Sequence, residues 1–246
     1  MHTNNDLVFD IINNIKKFSE EPIIVFHVNK LFSDFDYENF KNIKDVYINP
    51  VRFTMGHSDN KVKPLISNYE FLIKNEIKFD YQTYFYSKML LVKRGLETYL
   101  SNCDSCMHLK PYFSYDPPYL KVDCNVFPKG LHYSLIEGLT LNYKISEKIY
   151  SLIKKYKLEE VQGWAPEEQI IPSSIYQYSN NIKKVPISAK SAENIICNVD
   201  DIKNYIKHDT LIQDSYHGER SSNEIFFAHR VEYNYFDPVR EFVRNI

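Results

Sequence analysis

Two adjacent acids, Glu167 and Glu168, follow Trp164-Ala-Pro166 and open the stretch APEEQIIPSSIYQYS, which places them in the first turn of an expected helix. A carboxylate presented there can take a proton from a hydroxyl as a general base. The same position suits acids that only answer the positive end of a helix dipole, a commonplace role. A second chemistry-bearing stretch is Phe226-Phe-Ala-His229-Arg230-Val, where an arginine at a strand end can grip a diphosphate through two parallel hydrogen bonds. Arg240 and Arg244 follow and are expected on a solvated helix face. His27, at the carboxyl end of the first expected strand, and His57, in Gly56-His-Ser-Asp59, are either core histidines or ligand contacts at the edge where α/β sheets bind.

Metal chemistry would call on other residues. Asp34-Phe35-Asp36 has the letters of an Asp-x-Asp metal pair but falls just past the first strand, and Asp123-Cys-Asn125 is better placed but incomplete. Cys103-Asp-Ser-Cys106 with His108 could begin a zinc site, yet a structural zinc takes four well-spaced ligands and no second CxxC exists. The four cysteines are expected as reduced thiols, because the polar, acidic opening MHTNNDLVFDIINN has none of the features of an export signal.

These residues must be positioned by elements that the apolar spacing outlines. DLVFDIINNIKKF repeats apolar residues at helical intervals and predicts an amphipathic first helix. Ile23 to Val28 is short, apolar and β-branched, as in a buried, central parallel strand, and Asp45 to Val51 reads as a second strand, with Phe32, Phe35 and Phe40 on a crossover helix between them. Helices are expected over Lys63 to Lys78, Arg94 to Asn102, Ile145 to Tyr156, DIKNYIKH and DPVREFVRNI, and strands over FDYQTYFYS and IFFAHRVEY. Residues 111 to 130 read as a long surface excursion and SYHGERSSNE as a polar turn. The alternation implies an α/β fold in one domain, residues 1–246, with a nucleotide-binding half over about 1–100 and a catalytic half over about 101–246.

Composition narrows the classes. A formal charge of -2 with interleaved signs provides no field to gather nucleic acid, and no apolar stretch reaches the roughly 20 residues of a membrane helix. A cytoplasmic protein follows, extending at most to peripheral contact with the inner face of a membrane. The 20 Tyr and 16 Phe suit sugar stacking, although rings in such number also fill a core.

Taken in order, these stretches resemble the core-2/I-branching β-1,6-N-acetylglucosaminyltransferase family, which includes the peptide-O-xylosyltransferases. Ile24-Val-Phe-His27-Val-Asn29-Lys30 is similar to the family's first strand and its His-x-Asp end. Arg52-Phe-Thr-Met-Gly-His57-Ser is similar to the segment after its second strand, and Phe79 to Ser87 to its third. Trp164-Ala-Pro166-Glu167-Glu168 resembles its Ser-Pro-Asp-Glu signature, and Phe226-Phe-Ala-His229-Arg230 its Phe-Ala-Arg-Lys-Phe element. The resemblance implies a single-domain glycosyltransferase A-type, Rossmann-like mixed sheet flanked by helices. It implies an inverting, metal-independent enzyme that moves a GlcNAc- or xylose-like sugar from a UDP-sugar to a glycan or glycolipid hydroxyl in surface polysaccharide synthesis. No cofactor beyond the UDP-sugar co-substrate is implied.

On that resemblance Glu168 is the catalytic base. Arg230, with His229 or Lys190, meets the leaving diphosphate; His27, Asn29 and His57 line the nucleotide cleft; and Trp164, Glu167 and Tyr119 hold the acceptor. Two departures stand out: Asn29 replaces the strand-end Asp, and Tyr86-Ser-Lys-Met89 lacks the acid of the family's Ser-Gly-x-Asp-x-Pro turn. Two other readings stay open, a metal-dependent transferase using Asp34, Asp36 or Asp123, and a non-catalytic carbohydrate- or nucleotide-binding protein.

Overall fold

A computed structural model describes residues 5–32, 35–55, 60–109, 124–163, 165–188, 196–214 and 218–246 as a mixed α/β chain. In chain order the elements are α1 (Asn5–Phe18), β1 (Ile24–Phe26), β2 (Val46–Ile48), α2 (Val62–Lys74), β3 (Tyr81–Thr83), β4 (Met89–Leu91), α3 (Leu96–Leu100), β5 (Ser105–Met107) and β6 (Thr140–Asn142). They continue with α4 (Tyr143–Tyr156), α5 (Glu167–Tyr178), β7 (Ile182–Lys184), β8 (Ile187–Ser188), α6 (Val199–Ile206), β9 (Leu211–Asp214), β10 (Gly218–Ser221), β11 (Phe227–His229) and α7 (Pro238–Asn245). Two compact units interleave along the chain. The first takes Ile23–Tyr84 and Asn102–Lys183, and the second His2–Pro22, Phe85–Ser101 and Lys184–Ile246.

In the first unit β1 pairs with β2 in parallel, Val25 opposite Tyr47, as the apolar strand pattern predicts. Among the described residues the pair forms a sheet of its own, and β1 is not the central strand of a larger one. No crossover helix joins the two among the described residues. The connection instead runs through turns, because Asp36 accepts the Glu38 N–H and an Asn39 amide proton, and the stacked rings of Phe35 and Phe40 fill the core without a helical period. A separate sheet has the order β3-β6-β5-β7, with β6 antiparallel to both neighbours for which a register is resolved. Helix α4 buries Ile145, Ile149, Leu152 and Ile153, the stripe set by its spacing, and packs on α5. Its start is capped by Asn142, whose side chain accepts the Ile145 N–H at 2.8 Å.

In the second unit β11 lies between β4 and β8, antiparallel to the first and parallel to the second. Helix α1 packs on β4 through Leu7, Val8, Ile11 and Ile12, all out of water, and each such side chain contributes about 1.5–3 kcal/mol by burial. Asn14 fixes the contact by exchanging two hydrogen bonds with the Leu91 backbone, both 2.8 Å. The polar SYHGERSSNE stretch is not only a turn. Its residues Gly218–Ser221 form β10, antiparallel to β9, since the buried Arg220 side chain donates to the Val185 and Ile187 carbonyls and draws that segment against the unit.

Arg240 also departs from its expected place. Its side chain is fully buried rather than solvated, and Nη1 donates to Asp10 at 2.9 Å while Nη2 and Nε meet the Ser87 and Glu232 carbonyls. Arg244 reaches the other Asp10 oxygen at 2.9 Å. Burial pulls the Arg240 guanidinium down in basicity, and the adjacent Asp10 carboxylate offsets this. Removing one partner of such a pair strands a buried charge. Asp10→Ala is therefore expected to lower unfolding stability by about 3 kcal/mol, read as a lower urea midpoint at unchanged slope.

Candidate active site

The helix α5 begins with Pro166 at its N-cap position, after Ala165 in the left-handed region at φ 48°. That entry brings Glu167 and Glu168 into the first helical turn and turns Glu167 inward until only 1% of it is exposed. The Lys61 ammonium, at the start of α2, reaches Glu167 Oε1 at 2.9 Å. Glu167 Oε2 is buried and has no hydrogen-bond partner among the described residues. A buried carboxylate so held needs its cation and has one acceptor oxygen to spare.

Pro172 determines how Glu168 is presented. It has no N–H to give the carbonyl four residues before it, which is that of Glu168. That carbonyl accepts instead from the Ser134 backbone N–H at 2.9 Å. Next to it His132 and Ser173 exchange hydrogen bonds, His132 N–H to Ser173 Oγ at 2.8 Å and Ser173 Oγ to the His132 carbonyl at 3.1 Å. The segment 132–134 is thus fastened along α5, and Tyr133 between those anchors donates its hydroxyl to Glu168 Oε2 at 2.6 Å. The sequence signal for this partner is the proline four residues beyond an acid; nothing local identifies Tyr133 itself.

The Glu168 carboxyl is pushed up to about 7. Burial is the main cause, the carboxylates of Glu137 and Glu167 add to it, and the Tyr133 hydrogen bond and the Lys61 charge oppose it. A carboxyl with that affinity for a proton can accept one from a hydroxyl and release it again near neutral pH.

His27 and Asn29 stand just beyond the end of β1 in the same unit. The His27 ring stacks on Phe53 at 5.5 Å, and its Nε2 accepts the Phe53 backbone N–H at 3.1 Å, which requires a neutral ring on that side. Burial foremost, with the Arg52 charge assisting, holds His27 down at about 4. Asn29 is buried and its side chain accepts the Leu31 N–H, while Arg52 donates to the carbonyls of Asn29 and Phe32. Both residues shape the loop that leaves β1.

His229 and Arg230 belong to the second unit, at the end of β11. Arg230 adopts φ 64°, a left-handed conformation uncommon for a side chain of this kind. It lines a recess of about 220 Å³ with Lys88, Ile196, Val231 and Glu232. The register that sets His229 opposite Met89 brings Lys88 alongside, and the Val231 N–H donates to the Lys88 carbonyl at 3.0 Å. The Lys88 ammonium lies 4.9 Å from the centre of the Tyr233 ring. Two cations and one carboxylate therefore share the recess, a net positive balance suited to an anion. Lys88 was not among the sequence candidates, because only strand register places it beside Arg230.

His57, Tyr119, Trp164 and Lys190 lie outside the described residues, as do Asp34 and Asp123. Asp36 caps a loop turn. Among the described residues no group of three or more His, Cys, Asp or Glu side chains is arranged to hold a metal ion, and no helix is long and apolar enough to cross a membrane.

Compared with protein-family models the chain matches none, and a comparison with curated proteins likewise finds no match.

The Glu168 carboxyl binds its proton near pH 7 when folded but near its ordinary 4.5 when unfolded. Its contribution to stability is then complete below about pH 4.5 and is lost as pH rises through 7. Glu168→Gln should flatten that decline and leave the variant more stable than the parent by about 2 kcal/mol at about pH 8, with little difference at about pH 4. Urea midpoints across this range check it, and an unchanged slope with pH would assign the decline to another group.

Proposed function

We propose that this chain is an inverting, metal-independent glycosyltransferase of the A-type fold, which transfers a GlcNAc- or xylose-like sugar from a UDP-sugar to a glycan or glycolipid hydroxyl. The observation that carries the reading is the Glu168 carboxyl, half-buried at the start of α5, anchored by Tyr133 and tuned to about 7. It occupies the base position of the Pro-Asp-Glu-like signature that the sequence resembles.

In this reaction Glu168 takes the proton of the acceptor hydroxyl as its oxygen bonds to the anomeric carbon. The bond from that carbon to the diphosphate breaks, and UDP leaves with the bonding electrons. The Tyr133 hydrogen bond holds one carboxyl oxygen in place, so the other is the one to meet the hydroxyl. Taken by itself, the second unit has in Arg230 and Lys88 a recess whose charge suits a diphosphate, the part a divalent ion would otherwise play. His27, Asn29 and His57 retain the proposed nucleotide-facing role, Lys190 and His229 that of supporting Arg230, and Trp164 and Tyr119 that of acceptor contacts. A place in surface polysaccharide synthesis from the cytoplasmic side fits this chemistry.

The test is a screen of UDP-sugars for transfer to glycan hydroxyls in the presence of EDTA. Transfer is expected with inversion at the anomeric carbon, at a rate that falls about tenfold per pH unit below 7 as Glu168 is protonated. Glu168→Gln should reduce kcat by roughly 10²- to 10⁴-fold and leave UDP binding intact. Arg230→Ala and Lys88→Ala should each weaken UDP binding by about tenfold, measured by calorimetry. Turnover that requires manganese would overturn the metal-independent part. UDP binding without turnover and indifferent to Glu168→Gln would make the chain a binding protein instead.

A further inference from the structure

Cys103 and Cys106 flank the start of β5 in the first unit, well apart in sequence from the residues given catalytic roles. Three residues along an extended strand would normally separate two side chains widely. Here the chain bends at Asp104, between the two cysteines, and the two sulfur atoms come within 3.8 Å. The turn is fastened by groups that do not involve the thiols. The Asn102 carbonyl accepts from the Asn181 side chain and the Cys103 carbonyl from the Tyr81 hydroxyl, while the Asp104 carboxylate accepts the Asn180 and Asn181 N–H groups at 2.8 and 3.1 Å. Bonding the two sulfurs needs an approach of about 2 Å, within the reach of side-chain rotation on a backbone already bent to suit it.

We infer that Cys103 and Cys106 are a reversible disulfide site, closed by a peroxide and reopened by a dithiol reductant.

Cys103 is the attacking sulfur. The Cys106 thiol beside it lowers its proton affinity foremost, and the Lys183 ammonium on β7 acts in the same direction against the effect of burial. Cys103 is itself largely covered, but the residue before it, Asn102, is exposed, so a small oxidant has a short path to it. The Cys103 thiolate attacks one peroxide oxygen; an S–O bond forms, the O–O bond breaks, and the departing hydroxide takes up a proton to become water. The Cys106 sulfur then gives up its proton and attacks the Cys103 sulfur, forming the S–S bond and releasing the second oxygen as water. Two thiols and one hydrogen peroxide thus become one disulfide and two waters.

The full-length folded chain treated with hydrogen peroxide, then alkylated after denaturation and mapped by mass spectrometry, tests this. The expected result is a Cys103–Cys106 peptide lighter by two hydrogens, unalkylated, and restored by dithiothreitol, with Cys124 and Cys197 still alkylated. Cys106→Ser should stop at a Cys103 sulfenic acid that dimedone traps, and Cys103→Ser should leave Cys106 unmodified. Alkylation of all four cysteines after peroxide, or a disulfide that uses Cys124 or Cys197, would overturn the assignment.

Discussion

Two carboxyl groups side by side at the start of α5 are withdrawn from water, and among the described residues only one of them is in contact with a cation. Glu167 takes the Lys61 ammonium at 2.9 Å in a site that is almost fully closed. Among the described residues Glu168 beside it has a tyrosine hydroxyl but no ammonium in contact, and it pays for its place with a raised proton affinity. Two neighbouring acids are thereby separated by their partners, one meeting an ammonium and the other a tyrosine hydroxyl, and Glu168 is the one whose proton affinity is raised. Such a separation is how a pair of like residues acquires distinct chemical roles.

The arrangement depends on a backbone defect as much as on charge. A helix of ordinary residues would have bonded the Glu168 carbonyl internally and left the segment 132–134 without that anchor. Pro172 frees the carbonyl, Ser134 takes it, and Tyr133 is delivered to the carboxyl on the same face. Backbone hydrogen bonding, side-chain orientation and acidity are in this way one linked event. In the second unit a comparable constraint is the buried Arg240, which satisfies Asp10 and two carbonyls at once and ties α7 to α1 and to the segment before β4.

The thiol pair at β5 follows a different logic. Its turn is held by amides, a carboxylate and a tyrosine hydroxyl, and the two sulfurs are brought together beside that hold. Two sulfurs placed this close can change covalent state while the hydrogen bonds of Asn102, Asp104 and Tyr81 persist.

The sequence by itself determined the helices whose apolar stripes repeat at helical spacing, α1, α2, α4, α6 and α7, and the proline and acids that open α5. It also determined the parallel character of β1 and β2, whose short apolar runs are typical of strands covered on both faces. These features depend on neighbours a few residues apart, which periodicity and capping report directly. Tertiary structure alone decided that Lys61 serves Glu167, that Tyr133 serves Glu168, that Lys88 stands beside Arg230, and that Asp10 meets Arg240 across 230 residues of chain. Strands of three residues carry almost no period from which a register could be read, and a charge's partner is set by whichever distant segment packs against it. The helix α7 formed as expected, but the solvated position expected for Arg240 failed for that reason: a basic stripe reads the same in sequence whether water or a buried aspartate neutralises it.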